Sequence, residues 1–175
     1  MRSARKFLAT LSTLITLTTL ACGGGGGGNN TGNNNPPTGP GGTGATNGSF
    51  TAVVNGATWN AIGTIVVNRQ SNNFIGIAAS GFAGSTNYAF VLGIANATGP
   101  GTHSFLVAGN GDGSSLIIGG TTTGWGTAFN GGTGSVTITS LSANRIVGTF
   151  SGTAVPSSGT AANLVVTNGA FDITF

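Results

Sequence analysis

Charge is the scarcest thing in this chain. Only 4% of its 175 residues are charged, glutamate is missing altogether, and Asp112 and Asp172 are the whole acidic inventory. There is one histidine, His103, and one cysteine, Cys22. Paired-carboxylate chemistry would need both aspartates in one site. A His/carboxylate metal centre would run short of ligands, so no metal or cofactor is expected. A single cysteine excludes any internal disulfide, and a folded domain must be held by its own core. Long apolar runs are also lacking. The stretch after Lys6 is too short and too threonine-rich for a stable transmembrane helix of ~20 apolar residues.

Three of the five basic residues, Arg2, Arg5 and Lys6, sit at the very start. An apolar and hydroxyl-rich run from Phe7 to Leu17 follows, then Thr18-Thr19-Leu20-Ala21-Cys22. A positive start, a short greasy stretch and a small residue before the cut form the secretory layout. The Ala21-Cys22 junction resembles the lipobox of bacterial lipoproteins, although Thr19 and Leu20 stand where that family usually has leucine and then a small residue. The resemblance implies a signal peptide over 1–21 and a Cys22 that becomes the lipidated (palmitate-type acylated) N-terminus. Two or three acyl chains supply anchoring that one chain cannot. Gly23 after the cysteine, with no acidic retention residue, leans toward the cell outer membrane.

Removing the signal changes the charge argument. Arg69 and Arg145 then stand against Asp112 and Asp172, two cations against two anions, for a mature formal charge of zero. No basic patch is left for nucleic acid. Like-charge repulsion between copies is almost abolished.

What the chain does have is glycine, 34 residues of it, together with threonine, asparagine and short apolar runs. Residues 22–48 contain Gly23 to Gly28, an asparagine-rich stretch and Pro36-Pro37, with neither aromatic nor branched aliphatic side chains. Such a segment cannot bury enough surface to fold and is expected to be a disordered tether. From residue 49 to 175 the pattern becomes strand-length runs broken by turns. Asn55-Gly56 between apolar runs predicts a type I′ hairpin, since both residues tolerate positive φ. Gln70 to Asn73 and Ser142 to Asn144 predict further hairpins. Strands are expected over Ile65–Arg69, Phe74–Ser80, Tyr88–Ala95, His103–Ala108, Leu116–Gly119, Trp125–Phe129, Ser135–Leu141, Arg145–Ala154 and Leu164–Phe175. Asn168-Gly169 favours a bulge over a second tight turn. Ile146, Phe150 and Ala154 should share one face with Gly148 and Gly152; Phe171, Ile173 and Phe175 should alternate with a solvated Asp172. With no helix-period segment, the expected fold is an all-β domain, an antiparallel β-sandwich or a closed barrel-like sheet.

Phe50-Thr51-Ala52-Val53-Val54-Asn55-Gly56-Ala57-Thr58-Trp59 resembles the "FxAxVNGxxW" opening of small bacterial lipoproteins grouped as domains of unknown function. Gly134 to Leu141, Gly148 to Gly152 and Thr167 to Asp172 look like that group's C-terminal half. The resemblance implies an all-β lipoprotein and no catalytic residues.

His103 with Asp112 as orienter could serve a serine nucleophile, but no Gly-x-Ser-x-Gly elbow is present. Gly109 to Ser114 places oxygens at Asn110, Asp112 and Ser114 as a calcium loop does, yet Ser115 stands where glycine is expected and the distant glutamate is missing. Aromatics are the better ligand candidates. Trp125 lies between Gly124 and Gly126, which could leave an indole face open to a carbohydrate or protein ligand, and Tyr88 is its companion. Trp59 reads as core. The reading is a lipid-anchored, non-enzymatic envelope module that meets the membrane through Cys22. A small outer-membrane barrel, suggested by the terminal Phe171–Phe175 strand, and an envelope hydrolase using His103 are the alternatives.

Overall fold

The computed structural model describes residues 43–106, 111–129 and 131–175, and every regular element there is a β-strand. The strands are β1 (Thr43–Val54), β2 (Ala57–Arg69), β3 (Ile75–Ala83), β4 (Thr86–Ile94), β5 (Gly101–Ser104), β6 (Ser115–Gly119), β7 (Gly124–Gly126), β8 (Thr133–Leu141), β9 (Arg145–Pro156) and β10 (Leu164–Thr174). Eight of them close a ring in the order β10-β1-β2-β3-β4-β6-β7-β9 and back to β10. β8 lies on β9, and β5 lies on β8. Of the two all-β forms expected, the chain adopts the closed one. Closure leaves most strands without a free edge, the usual liability of a neutral β protein.

The turn chemistry acts where the sequence places it. Asn55 and Gly56 take φ of 48° and 85° between the paired Val54 and Ala57. The Asn55 side-chain oxygen accepts from Val165 N at 2.8 Å, tying this turn to β10. At the next turn Asn73 has φ 60°, and Gln70 N donates to Phe74 O. Asn168 (φ 50°) sits in a bulge: Thr167 and Asn168 on β10 face Ser151 alone on β9.

Several boundaries differ from expectation; the strand expected over Trp125–Phe129, for one, is the three-residue β7. The first strand starts at Thr43, within the segment expected to be tether: Thr43–Thr46 pair with β2, and Asn47 and Gly48 pair with Thr174 and Ile173 of β10. These residues carry little apolar surface, but backbone rungs do not depend on side-chain polarity. Gly48 is needed for the approach, because a Cβ there would lie 2.2 Å from the Asp172 carbonyl oxygen. β3 runs on to Ala83 and turns at Gly84, φ 60°. The strand expected over 103–108 is the shorter Gly101–Ser104, and Val107 and Ala108 lie outside the described residues.

The interior is filled by side chains, as the bore of an eight-stranded barrel allows. Phe50, Trp59, Phe90, Phe150 and Phe171 form a continuous aromatic cluster with centroid separations from 4.2 to 6.4 Å. Ile75, Ile77, Leu92, Leu116 and Ile118 pack around them, fully buried. Inner-face glycines make room. Phe171 stands opposite Gly148, and Phe150 opposite Gly169. A Cβ on Gly148 would lie 2.5 Å from the Phe171 ring, and one on Gly169 2.6 Å from the Phe150 ring. Each ring thus covers its glycine's backbone, a pairing that suits a strongly curved sheet. The outer face is hydroxyl-rich: Thr133–Thr153, Ser135–Ser151 and Thr137–Thr149 are cross-strand pairs of β8 and β9.

Candidate functional site

Strand alternation sorts the sequence candidates between the two ends of the barrel. Connections in an antiparallel ring alternate ends, so β1 enters with Thr43 at the same end as the 70–73 and 142–144 turns. The far end collects the turns at 55–56, 84–85 and 120–123 and the 157–163 loop.

Tyr88 and Trp125 meet at that far end. Tyr88 precedes Phe90 by two residues on β4 and shares its inward face, while Trp125 pairs with the buried Ile118. Their rings are 6.1 Å apart and inclined at 71°, an edge-to-face contact. Both are half-buried against the rim of the core. The indole Nε1 of Trp125 donates to Ala162 O at 2.9 Å, so the 157–163 loop fixes its orientation. Gly120 lets the ring lie close to the backbone, since a Cβ there would come within 2.8 Å of it. Ser157 N donates to Gly124 O beside it. Trp59 is at 0% exposure and donates to Tyr88 O at 3.2 Å, which makes it core.

His103 and Asp112, nine residues apart, also come together, Nδ1 to Oδ2 at 3.2 Å. The other Asp112 oxygen accepts from Ser114 N at 2.9 Å. Ser114 is fully buried; its Oγ accepts from Ala95 N, and its carbonyl accepts from Leu106 N. Thr127, equally buried, accepts from Leu116 N and donates its own N–H to Leu116 O. Both histidine and aspartate therefore belong to a hydrogen-bonded seam joining β4, β5 and β6. Of the calcium-loop oxygens, both of Asp112 are engaged, with His103 and with Ser114 N, and Asn110 lies outside the described residues. Among the described residues no three His, Cys, Asp or Glu side chains gather as metal ligands do.

Asp172 has a partner that the sequence did not announce. Arg145 donates Nε and Nη2 to its two oxygens at 2.9 and 2.7 Å, a bidentate pair. Those hydrogen bonds outweigh an opposing desolvation and, with a smaller contribution from the guanidinium charge, hold the carboxyl below its ordinary 3.8. The pair lies on the outer face in a shallow depression with Asn47, Gly48, Ser49 and Thr174. Arg69 donates to Ser142 O at the same end. The two arginines among the described residues, Arg69 and Arg145, thus sit where β1 enters, 76 positions apart in sequence, and only the strand register reveals it.

No protein-family profile, curated protein or solved structure matches the chain. Cys22 lies outside the described residues.

Proposed function

We propose that this chain is a lipid-anchored protein of the cell envelope, attached by acylation of Cys22, whose mature part is a non-enzymatic binding or structural module. The observation that carries the reading is the order Ala21-Cys22, glycine run, then a β-barrel beginning at Thr43. Twenty residues, 23–42, separate the cysteine from the first strand and set a reach of at most ~70 Å. Gly23 after the cysteine favours the outer membrane as destination, and the resemblance of the Phe50–Trp59 segment to small lipoproteins supports the same class.

The distribution of polarity across the wall favours lipid anchoring over a membrane-spanning barrel. A transmembrane barrel presents apolar side chains outward and polar ones inward. Here the aromatic cluster is inside, and serine and threonine pairs face out. A hydrolase reading has less to stand on, since the partners of His103 and Asp112 are one another and the backbone of Ser114.

Cys22→Ser tests the reading directly. The variant should accumulate as unprocessed precursor and take up no labelled fatty acid in growing cells. Normal cleavage and labelling of the variant would overturn the anchor.

A further inference from the structure

We infer that the far end of the barrel, around Tyr88 and Trp125, is a docking surface for a neutral carbohydrate chain. The inference rests on the tethered reading for its orientation only. β1 enters at the opposite end, so the first described residue, Thr43, lies away from Tyr88 and Trp125.

Three features of this end select the ligand class. First, it carries no charge: the turns at 55–56, 84–85 and 120–123 and the 157–163 loop hold no ionisable side chain. Arg69, Arg145 and Asp172 are all near the tether end. An anionic polymer, a phosphorylated headgroup or a charged peptide would find no counter-charge here. Second, the end is rich in neutral hydroxyls, with Thr121, Thr122, Ser157, Ser158 and Thr160 exposed. Each hydroxyl both donates and accepts, as sugar hydroxyls do. Third, the aromatic pair packs on the rim of the core and keeps part of its ring surface accessible, apolar area against which the C–H face of a pyranose ring can stack. The pair is fixed beforehand, Trp125 by Ala162 O and Tyr88 by edge contact, so little ordering is left for the ligand to impose. A neutral sugar chain, apolar on its ring faces and hydroxylated at its edges, matches all three.

The test uses the full lipidated chain in a detergent whose headgroup carries no sugar. The probes are hexamers of β1,4-linked glucose, α1,4-linked glucose and β1,4-linked N-acetylglucosamine. Trp59 is buried, so a ligand-dependent change in tryptophan emission reports Trp125. The expected result is a saturable emission change and calorimetric heat with at least one hexamer, unchanged by added salt. Tyr88→Ala and Trp125→Phe should each weaken binding by about tenfold or more in the calorimeter. Should either fail to fold, the exposed turn variant Thr122→Glu should still weaken it, and Ala143→Glu at the tether end should not. No heat with any hexamer, salt-sensitive binding, equal loss from Ala143→Glu, or tighter binding of a neutral Ser/Thr peptide than of any hexamer would each overturn the proposal. Full-length Cys22→Ser should bind the sugar unchanged, so failure of the anchor and failure of the site are read separately.

Discussion

The two sides of this barrel are closed by different means. On one side β9, β10, β1 and β2 are strands of eleven to thirteen residues, held by long ladders and by rings laid over glycines. On the other side β5, β6 and β7 have four, five and three residues. Ladders that short cannot satisfy their surroundings, and side chains supply the missing rungs. Ser114 and Thr127, the two buried polar residues among those described, both stand here and both accept from a backbone N–H. The long-strand side is therefore stabilised by buried area under long ladders, whereas the short-strand side adds satisfied polar groups to the burial of Leu116 and Ile118. Each should respond to a different kind of substitution.

The largest effect is expected on the long-strand side. Phe171→Ala removes a ring at 2% exposure that also covers Gly148, and should cost ~3–5 kcal/mol in chemical denaturation. A neutral result would mean that the inward phase of β10 past the bulge is wrong. Thr127→Val probes the other side at nearly constant volume. It leaves Leu116 N without its acceptor and should cost ~1–3 kcal/mol, whereas Ser151→Ala on the outer wall should stay within about 0.5 kcal/mol. Equal effects at Thr127 and Ser151 would erase the distinction between the two sides. Asn168→Ala forces an alanine to φ near 50° in the bulge and should cost roughly 1 kcal/mol, measured in the same way. An unchanged midpoint there would show the bulge relaxing into a regular ladder.

The long-strand side was also the side legible in the sequence. Alternation in Phe171-Asp172-Ile173 and Ile146 to Ala154, with Asn-Gly at 55–56 and 168–169, specifies faces, turns and the bulge from local chemistry. On the short-strand side the strand expected over Leu116–Gly119 forms, but the one expected over Trp125–Phe129 shrinks to Gly124–Gly126, too few residues to alternate. Ser114 and Thr127 look like any other hydroxyl in a chain full of them, and only their burial distinguishes them. The start of β1 was hidden for a related reason. Thr43 to Gly48 read as tether by side chain, while their pairing is a property of the backbone. Among site residues, Tyr88 and Trp125 were visible as individual aromatics, but their contact required the fold to bring β4 and β7 to one rim. The His103–Asp112 pair was within reach of sequence reasoning as a dyad; its place in a structural seam was not.

The smallest expected effect concerns the charged pair at the end where β1 enters. Asp172 has its carboxyl held below the ordinary 3.8 by two hydrogen bonds from Arg145. A carboxyl depressed in the folded state contributes stability that is fully present above its unfolded value. The contribution is lost as pH falls through the lower, folded value. Arg145 is raised by the same contact, but a guanidinium is already charged throughout the useful pH range, so that change has no consequence there. Both side chains are about half exposed, at 54% and 46%, so water and salt screen the pair strongly. The prediction is a slightly steeper loss of denaturation midpoint as pH falls below about 4 in the parent than in Asp172→Asn. In concentrated salt the two curves should coincide, since screening shortens the reach of an exposed pair. A large difference between them at neutral pH would mean that Asp172 does more than hold Arg145, and would shift attention to the depression it shares with Asn47, Ser49 and Thr174. Identical acid slopes at low salt would instead mean that the bidentate contact does not persist in solution.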